Sequence, residues 1–309
     1  MRLLLLYPNH SSKHTVLYIR NLATSMEDSG HIGYGEGRNE YSQGETIPQV
    51  VARLQPDAII GFEPKFIRKW LSNKGMGTHK VKLPKAVLLS DCYPYKNQVA
   101  MTEQHLDTIG YNIIFYQTVA EGGFISHRPE RKVYLPMSVR PSYFQPSHHI
   151  QIRDIDVSAL WSIEATRVYP TRVQIQEALR KLPISMATDH VFFQEYVDTL
   201  YRTKICVCCG PIYKNIQSRY TEAAACGCLV MTDPVADLTV QGWKDGVNIV
   251  VYNSIGDLKE KVMYYITHSE EREMIALKGH NHTLRNLTDH VVIKKIEKEF
   301  VDYGMASRI

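Results

Sequence analysis

Long apolar runs are missing from this chain. No stretch of its 309 residues approaches the roughly 20 apolar residues that cross a bilayer as a helix, which argues against a membrane span. The apolar opening Met1 to Tyr7 is too short for the hydrophobic region of a secretory signal, and no small-residue cleavage site follows it. It reads as a first buried strand, and the expected location is the cytoplasm. Cysteine is present in the wrong spacing for a metal. The six are Cys92, Cys206, Cys208, Cys209, Cys226 and Cys228. Zinc sites want pairs two to four residues apart with a second pair or histidines nearby, and Cys-x-Cys-Cys and Cys-x-Cys are tighter than that. Reduced, space-filling thiols and no metal are expected. A strong excess of one charge is also missing, the net charge being +4. What excess there is lies in the first 140 residues, with 17 Lys and Arg against 12 Asp and Glu. Internal repeats and low-complexity segments are absent, which excludes solenoids and disordered tails.

What is present is alternation. Short apolar runs at Arg2 to Tyr7, Pro56 to Phe62, Ala86 to Ser90, Asn112 to Tyr116 and Val133 to Leu135 read as strands buried on both faces. Helical spacing falls between them, at His14 to Ser29, Ile47 to Leu54, Lys65 to Leu71 and around Glu103 to Leu106. Strand and helix in turn imply a parallel sheet covered on both faces. Pro136, Pro141 and Pro146, then the polar Ser147-His148-His149, break the pattern and mark a linker. Alternation resumes with a strand at Val157 to Leu160, helices at Arg172 to Leu182 and Val191 to Leu200, and later helices at Leu258 to Thr267 and Glu270 to Leu277. The fold class is therefore α/β, with two Rossmann-like parallel-sheet domains. The boundaries read as 1–148 and 149–288, followed by an amphipathic C-terminal helix within 289–309. Such domains bind ligands outside the C-terminal ends of their strands.

The stretch Ile205 to Asp233 organises the second half. Ile205 to Cys209 and Leu229 to Met231 read as buried strands, and Tyr220 to Cys226 as a short, closely packed helix that Gly227 ends. Gly210 and Pro211 stop the first strand. Arg219 and Glu222 fall at the first turn of the helix, where unpaired backbone N–H groups attract phosphate. A carboxylate nearby can accept hydrogen bonds from a ribose diol. The same two residues also suit an ordinary helix cap and ion pair.

The run Arg219-Tyr220-Thr221-Glu222-Ala223-Ala224-Ala225-Cys226-Gly227 resembles the donor-site motif of GT-B glycosyltransferases, in the Arg-x-x-Glu-Ala-x-Ala-x-Gly form of the CgeB-like (spore-maturation) branch. Gly242 to Tyr252, Asp257-Leu258 and the later Glu271-Arg272, Ile275-Ala276 and Gly279 fit the same pattern, which covers about residues 155 to 285. The resemblance implies two domains facing a central cleft and a C-terminal helix that crosses back to the first domain. It implies a metal-independent glycosyltransferase with no cofactor and a nucleotide-sugar co-substrate, UDP-sugar first. Gly210, Arg219, Tyr220, Thr221 and Glu222 would bind the donor, with Arg167 and Arg172 clamping its diphosphate. Many retaining relatives carry Glu-x7-Glu, and the first Glu falls here at Lys214. Asp154-Ile155-Asp156 matches the Asp-x-Asp of metal-dependent GT-A enzymes but precedes a strand rather than ending one, and reads as loop acids.

Asp91 ends a buried strand and is the candidate general base beside Glu222, or else a turn cap. His10 and His14 follow the first strand, where acceptors dock in relatives. Lys65, Arg68, Lys69, Lys74, His79, Lys80, Lys82 and Lys85 cluster around Phe66 and Trp70. The cluster is a solvated face or the approach of a polyanion, with Arg68, Lys69, Lys80 and Lys82 as the test set. Hydroxymethylated DNA is one such acceptor; cell-surface polymers and small molecules are others. A non-catalytic relative that only binds nucleotide sugar or carbohydrate is the competing class.

Overall fold

The computed structural model describes residues 1–7, 17–35, 38–62, 74–90, 96–148, 152–163, 167–188 and 191–306. The chain divides into two units. One comprises Met1–Pro136 with Asp289–Ile309, the other Met137–Thr288.

In the first unit the strands are β1 (Leu3–Leu6), β2 (Ile32–Tyr34), β3 (Ala58–Phe62), β4 (Lys85–Leu89), β5 (Ile113–Tyr116) and β6 (Arg131–Tyr134). All pair in parallel, in the order β2-β1-β3-β4-β5-β6. The register sets Leu4 against Ile59 and Ile60 against Ala86. β1, β3 and β4 are buried at every position, as runs such as Leu-Leu-Leu-Leu require when helices cover both faces. The intervening helices are α1 (Leu17–Asp28), α2 (Ile47–Leu54), α3 (Lys96–Ile109) and α4 (Val119–Phe124). α2 begins at a capping box, Thr46 with Gln49, followed by Pro48 in its first turn. Leu4, Leu6, Ile59, Ile47 and Val50 form one core face, and Val87, Leu89, Leu106 and Ile114 another.

The last helix of the chain, Asp289–Ala306, belongs to this first unit. Phe300 meets Phe115 edge-on at 6.3 Å, Ser25 donates to Asp289 at 2.7 Å, and Asn112 donates to the Tyr303 hydroxyl at 2.8 Å.

The second unit holds β7 (Ile155–Ser158), β8 (Met186–Ala187), β9 (Thr203–Cys208), β10 (Leu229–Thr232) and β11 (Val250–Val251), with α5 (Arg172–Leu179), α6 (Phe193–Arg202), α7 (Ser218–Ala225), α8 (Asp237–Val240), α9 (Ile255–Thr267) and α10 (Ser269–Asn286). Completing the series, the final helix Asp289–Ala306 is α11. The sheet is again parallel, in the order β11-β10-β9-β7-β8. Its core runs from Val157 and Ile205 through Val207, Leu229 and Met231 to Leu258 and Val262.

This strand order has a functional consequence. From β7 the chain steps outward to β8, then returns past β7 to β9 and continues the other way to β10 and β11. The connections after β7 and after β9 therefore diverge, and a doubly wound sheet opens its ligand crevice at such a switch point. Among the described residues, no helix is long and apolar enough to cross a membrane.

Two readings of the sequence change here. Lys85 leaves the basic cluster: it is buried in β4, and its ammonium donates to Val81 O at 2.9 Å. The Asp-x-Asp pair sits at the start of β7, at the end of the sheet away from the crevice. There Asp154 pairs with Arg202 at 2.5 Å and Asp156 with Lys204 at 2.6 Å.

Candidate functional site

The switch point is flanked by two helix starts. α5 follows the connection from β7 and begins at Arg172; α7 follows the connection from β9 and carries Arg219 in its first turn. The sequence puts them there for different reasons. Gly210 and Pro211 release the chain from β9, so the loop can turn back before Ser218. The alanines of α7 let it lie close to the sheet, with Ala223 and Ala224 buried. Gly227, at φ +75°, closes the helix. Its N–H reaches Ala224 O at 2.9 Å and that of Cys228 reaches Ala223 O at 3.0 Å, the paired bonds of a Schellman ending.

Arg172 is buried, 6% exposed. Its guanidinium stacks 3.4 Å from the Tyr169 ring centre and lies 5.5 Å from that of Trp161. One nitrogen donates to Ser162 O at 3.2 Å, while its Nε has no partner. Burial, and after it the charge of Arg219, push its pKa down. Arg219 is half-buried, and its Nε is likewise covered and unpartnered. Burial opposes the charge of Arg219, but Tyr196, Cys208, Cys206 and Glu222 outweigh it and shift its pKa upward. Two like charges are thus held near each other at the crevice. Trp161 Nε1 and Asn215 Oδ1, on the connections after β7 and β9, are also buried without partners. Four buried polar atoms without a protein partner thus gather around one crevice, where most buried polar groups find one.

The loop after β9 is fixed from several sides. Asp233, just past β10, accepts from Gly210 N at 2.7 Å and pairs with Lys214 at 3.0 Å. Asp237 accepts from Ile216 N at 3.1 Å. Ile212 N donates to Val168 O at 2.9 Å, and the Tyr169 hydroxyl donates to Gln217 Oε1 at 2.6 Å, joining the two connections. Lys214 takes a left-handed backbone, φ +53°. An added Cβ at Gly210 would stand 2.9 Å from Val235 Cγ1 and 3.2 Å from Asn215 O.

Glu222 is 7% exposed. The Tyr196 hydroxyl, from α6, donates to its Oε2 at 2.7 Å. Burial raises the Glu222 carboxyl, against the hydroxyl of Tyr196, the charge of Arg219 and a hydrogen bond with Ser218. Tyr220 is fully buried, with its hydroxyl accepting from Thr232 at 2.6 Å, and Thr221 donates to Ser218 O at 2.8 Å. Both side chains point into the fold. Arg167 stands exposed ahead of α5. Lys80 and Lys82 are exposed in the first unit. His10, His14, Arg68, Lys69 and Asp91 lie outside the described residues. Sequence reasoning missed Trp161, Tyr169, Tyr196, Asn215 and Asp233. The Asp233 signal was available, since an acid directly after a buried strand sits at the crevice end of a parallel sheet.

Residues 173–298 match the glycosyl transferase-like family. The match lies largely within the second unit and extends into α11. No curated protein sequence matches the chain. Solved structures of the same fold do. HepE from Anabaena, in complex with UDP and glucose, aligns with a TM-score of 0.72 at 10% identity, over 98% of this chain and 100% of that one. Sucrose-phosphate synthase from Thermosynechococcus elongatus aligns with a TM-score of 0.66 at 10% identity, over 99% and 100%. A glycosyltransferase from Rickettsia africae aligns with a TM-score of 0.66 at 10% identity, over 97% and 98%. The two parallel-sheet α/β units are those of the GT-B fold.

Proposed function

We propose that this chain transfers a sugar from a UDP-sugar to an acceptor hydroxyl. The observation that carries the reading is the Arg172–Arg219 pair, two guanidinium groups brought together at the switch point with unmet nitrogens. A diphosphate would meet both charges and the start of α7. UDP is the first choice because HepE, of the same fold, was solved with UDP-glucose. In the reaction, the acceptor oxygen bonds to the anomeric carbon as the bond to the diphosphate oxygen breaks. UDP leaves with that electron pair, and the acceptor proton passes to a base. Charge growing on the leaving diphosphate is stabilised by the arginines. Asp91 is the proposed base, and no bound metal is assigned a step. The Arg-x-x-Glu-Ala-x-Ala-x-Gly run at Arg219 to Gly227 supports placing the chain in the CgeB-like branch.

The acceptor is assigned to the first unit. His10, His14, Arg68, Lys69, Lys80 and Lys82 are proposed to face it, and hydroxymethylated DNA is the polyanion to test first, ahead of cell-surface polymers and small molecules. Phosphate contacts would make binding fall steeply with salt.

The test uses wild-type protein. UDP and UDP-glucose should raise its melting temperature, and UDP release should be seen from UDP-glucose, faster with an acceptor. Binding without turnover across donors and acceptors would favour a non-catalytic binding protein. Absence of both would remove the reading.

A further inference from the structure

The side chain that holds Glu222 comes from another helix. Glu222 was expected to face a ribose or sugar, yet one of its carboxylate oxygens is committed 2.7 Å from the Tyr196 hydroxyl. Tyr196 is 8% exposed and Glu222 7%, so neither group is offered freely to solvent. Tyr196 lies on α6, which enters β9; Glu222 and Arg219 lie on α7, which leaves it. The hydrogen bond therefore ties the two helices that bracket β9.

We propose that Tyr196 is a positioning residue of the diphosphate site: its hydroxyl holds Glu222 and so ties α6 to the start of α7, the turn that carries Arg219. This rests on reading Arg172 and Arg219 as the diphosphate site. The physics is a balance of charges. Arg172 and Arg219 repel, and Glu222, three residues along α7 from Arg219, is the carboxylate whose charge favours that of Arg219. A buried carboxylate tends to take a proton, and a donor to its charged form opposes that. Burial holds the Tyr196 phenol well above its ordinary value, and Glu222 raises it further, so it remains a donor through the working pH range. Without it Glu222 neutralises more readily, and the turn that carries Arg219 loses its tie to α6. The titratable groups around this pair are Tyr196 from α6, Cys206 and Cys208 from β9, Arg219 itself, Cys226 at the end of α7, and His280 from α10, which reaches Ala224 O at 3.2 Å.

The experiment compares wild type with Tyr196→Phe, which removes only the hydroxyl, and Glu222→Gln. Two readouts are taken. The first needs no ligand: the Glu222 carboxyl titration by carbon-13 NMR, which should move to higher pH in Tyr196→Phe. The second is UDP affinity against pH. Wild-type affinity should fall as the solution is acidified through the Glu222 titration. In Tyr196→Phe that limb should move to higher pH, with affinity about tenfold weaker at its acid side, the scale of one hydrogen bond to a charged group. In Glu222→Gln the limb should vanish and affinity stay low throughout. A residue that merely packs α6 on α7 would lower the melting temperature and leave both titrations in place. An unmoved Glu222 titration in folded Tyr196→Phe overturns the proposal whatever binds. A moved titration with an unshifted UDP limb overturns the link to Arg219. If wild type binds no UDP, the diphosphate reading falls and takes the positioning role with it.

Discussion

Arg172→Met separates a binding arginine from a structural one. Methionine keeps an unbranched apolar stem against Tyr169 and Trp161 and removes the charge. Two contributions to the free protein would be lost. The cation–π contacts, at 3.4 and 5.5 Å from the ring centres, are worth about 0.5–2 kcal/mol each, and the charge-assisted bond to Ser162 O about 1.5–3 kcal/mol. Two penalties would be relieved: burial of a guanidinium with an unpartnered Nε, and its repulsion by Arg219. These are of similar size and opposite sign, so the melting temperature of free protein should move by no more than about 3 °C, the scale of 1 kcal/mol in a domain this large. Ligand binding has no such compensation. One charge-assisted contact to phosphate is worth about 1.5–3 kcal/mol, which is roughly a 10- to 150-fold loss in UDP affinity. Calorimetric titration with UDP, beside thermal unfolding with and without UDP, reads both quantities. A variant that melts more than about 8 °C lower yet binds UDP within about threefold of wild type would show Arg172 to be scaffold and refute the reasoning.

Three further outcomes follow from the same geometry. Gly210→Ala places a methyl 3.2 Å from the backbone oxygen of Asn215; Val235 can yield but that oxygen moves only with the loop, so stability should drop by about 1–3 kcal/mol in urea unfolding and KM for the donor should rise more than kcat falls. Glu222→Gln should flatten the pH dependence of stability: burial raises the native carboxyl above its unfolded value, so the native state binds that proton more tightly, and stability falls as pH rises from the unfolded value through the raised one. Urea titrations should therefore show the glutamine variant gaining on wild type as pH rises across that window, and parallel curves would contradict the shift. Asp91→Asn should leave UDP affinity intact while cutting kcat by about a hundredfold, the scale of general base catalysis; an unchanged kcat would return Asp91 to a cap.

Much of the fold was legible because its signals are local. Val-Val-Ala-Arg-Leu after Thr46 and Pro48 announces α2, and the structure sets it at Ile47–Leu54, the span the spacing indicates. Gly227 after three alanines announces the end of α7. Leu182 before Pro183 disfavours helix, and α5 indeed stops at Leu179 rather than Leu182. α4 was hidden because Gly122 and Gly123 dilute its helical signal; what starts it is the Thr118 hydroxyl accepting from Glu121 N at 3.2 Å. β8 is two residues long, too short for any periodicity. The candidate site split along the same line. Arg172 and Arg219 could be found because each opens a helix. Tyr196 meets Glu222 across 26 positions, and Asp233 meets Gly210 across 23, so only the sheet order brings them together.

The two halves of that site carry opposite demands, and the residues divide accordingly. The proposed diphosphate binding asks for polar groups left unmet in the free protein, a standing cost to stability. A loop carrying such groups would ordinarily relax until they found partners. Here it is denied that freedom: Asp233 holds Gly210 and Lys214, Asp237 holds Ile216, Val168 holds Ile212, and Tyr169 holds Gln217. Each contact uses a loop backbone group or a side chain other than the arginines, so the Nε atoms of Arg172 and Arg219 gain no partner from it. Lys214 belongs to this second set. Its ammonium meets Asp233 at 3.0 Å, and the position thereby joins the scaffold of the loop. Preorganisation of this kind shifts the ordering cost from the moment of binding to the act of folding. If the proposed site is right, loosening the scaffold and deleting an arginine should weaken UDP binding by distinct routes: the first lets the arginines find internal partners, the second removes the charge itself.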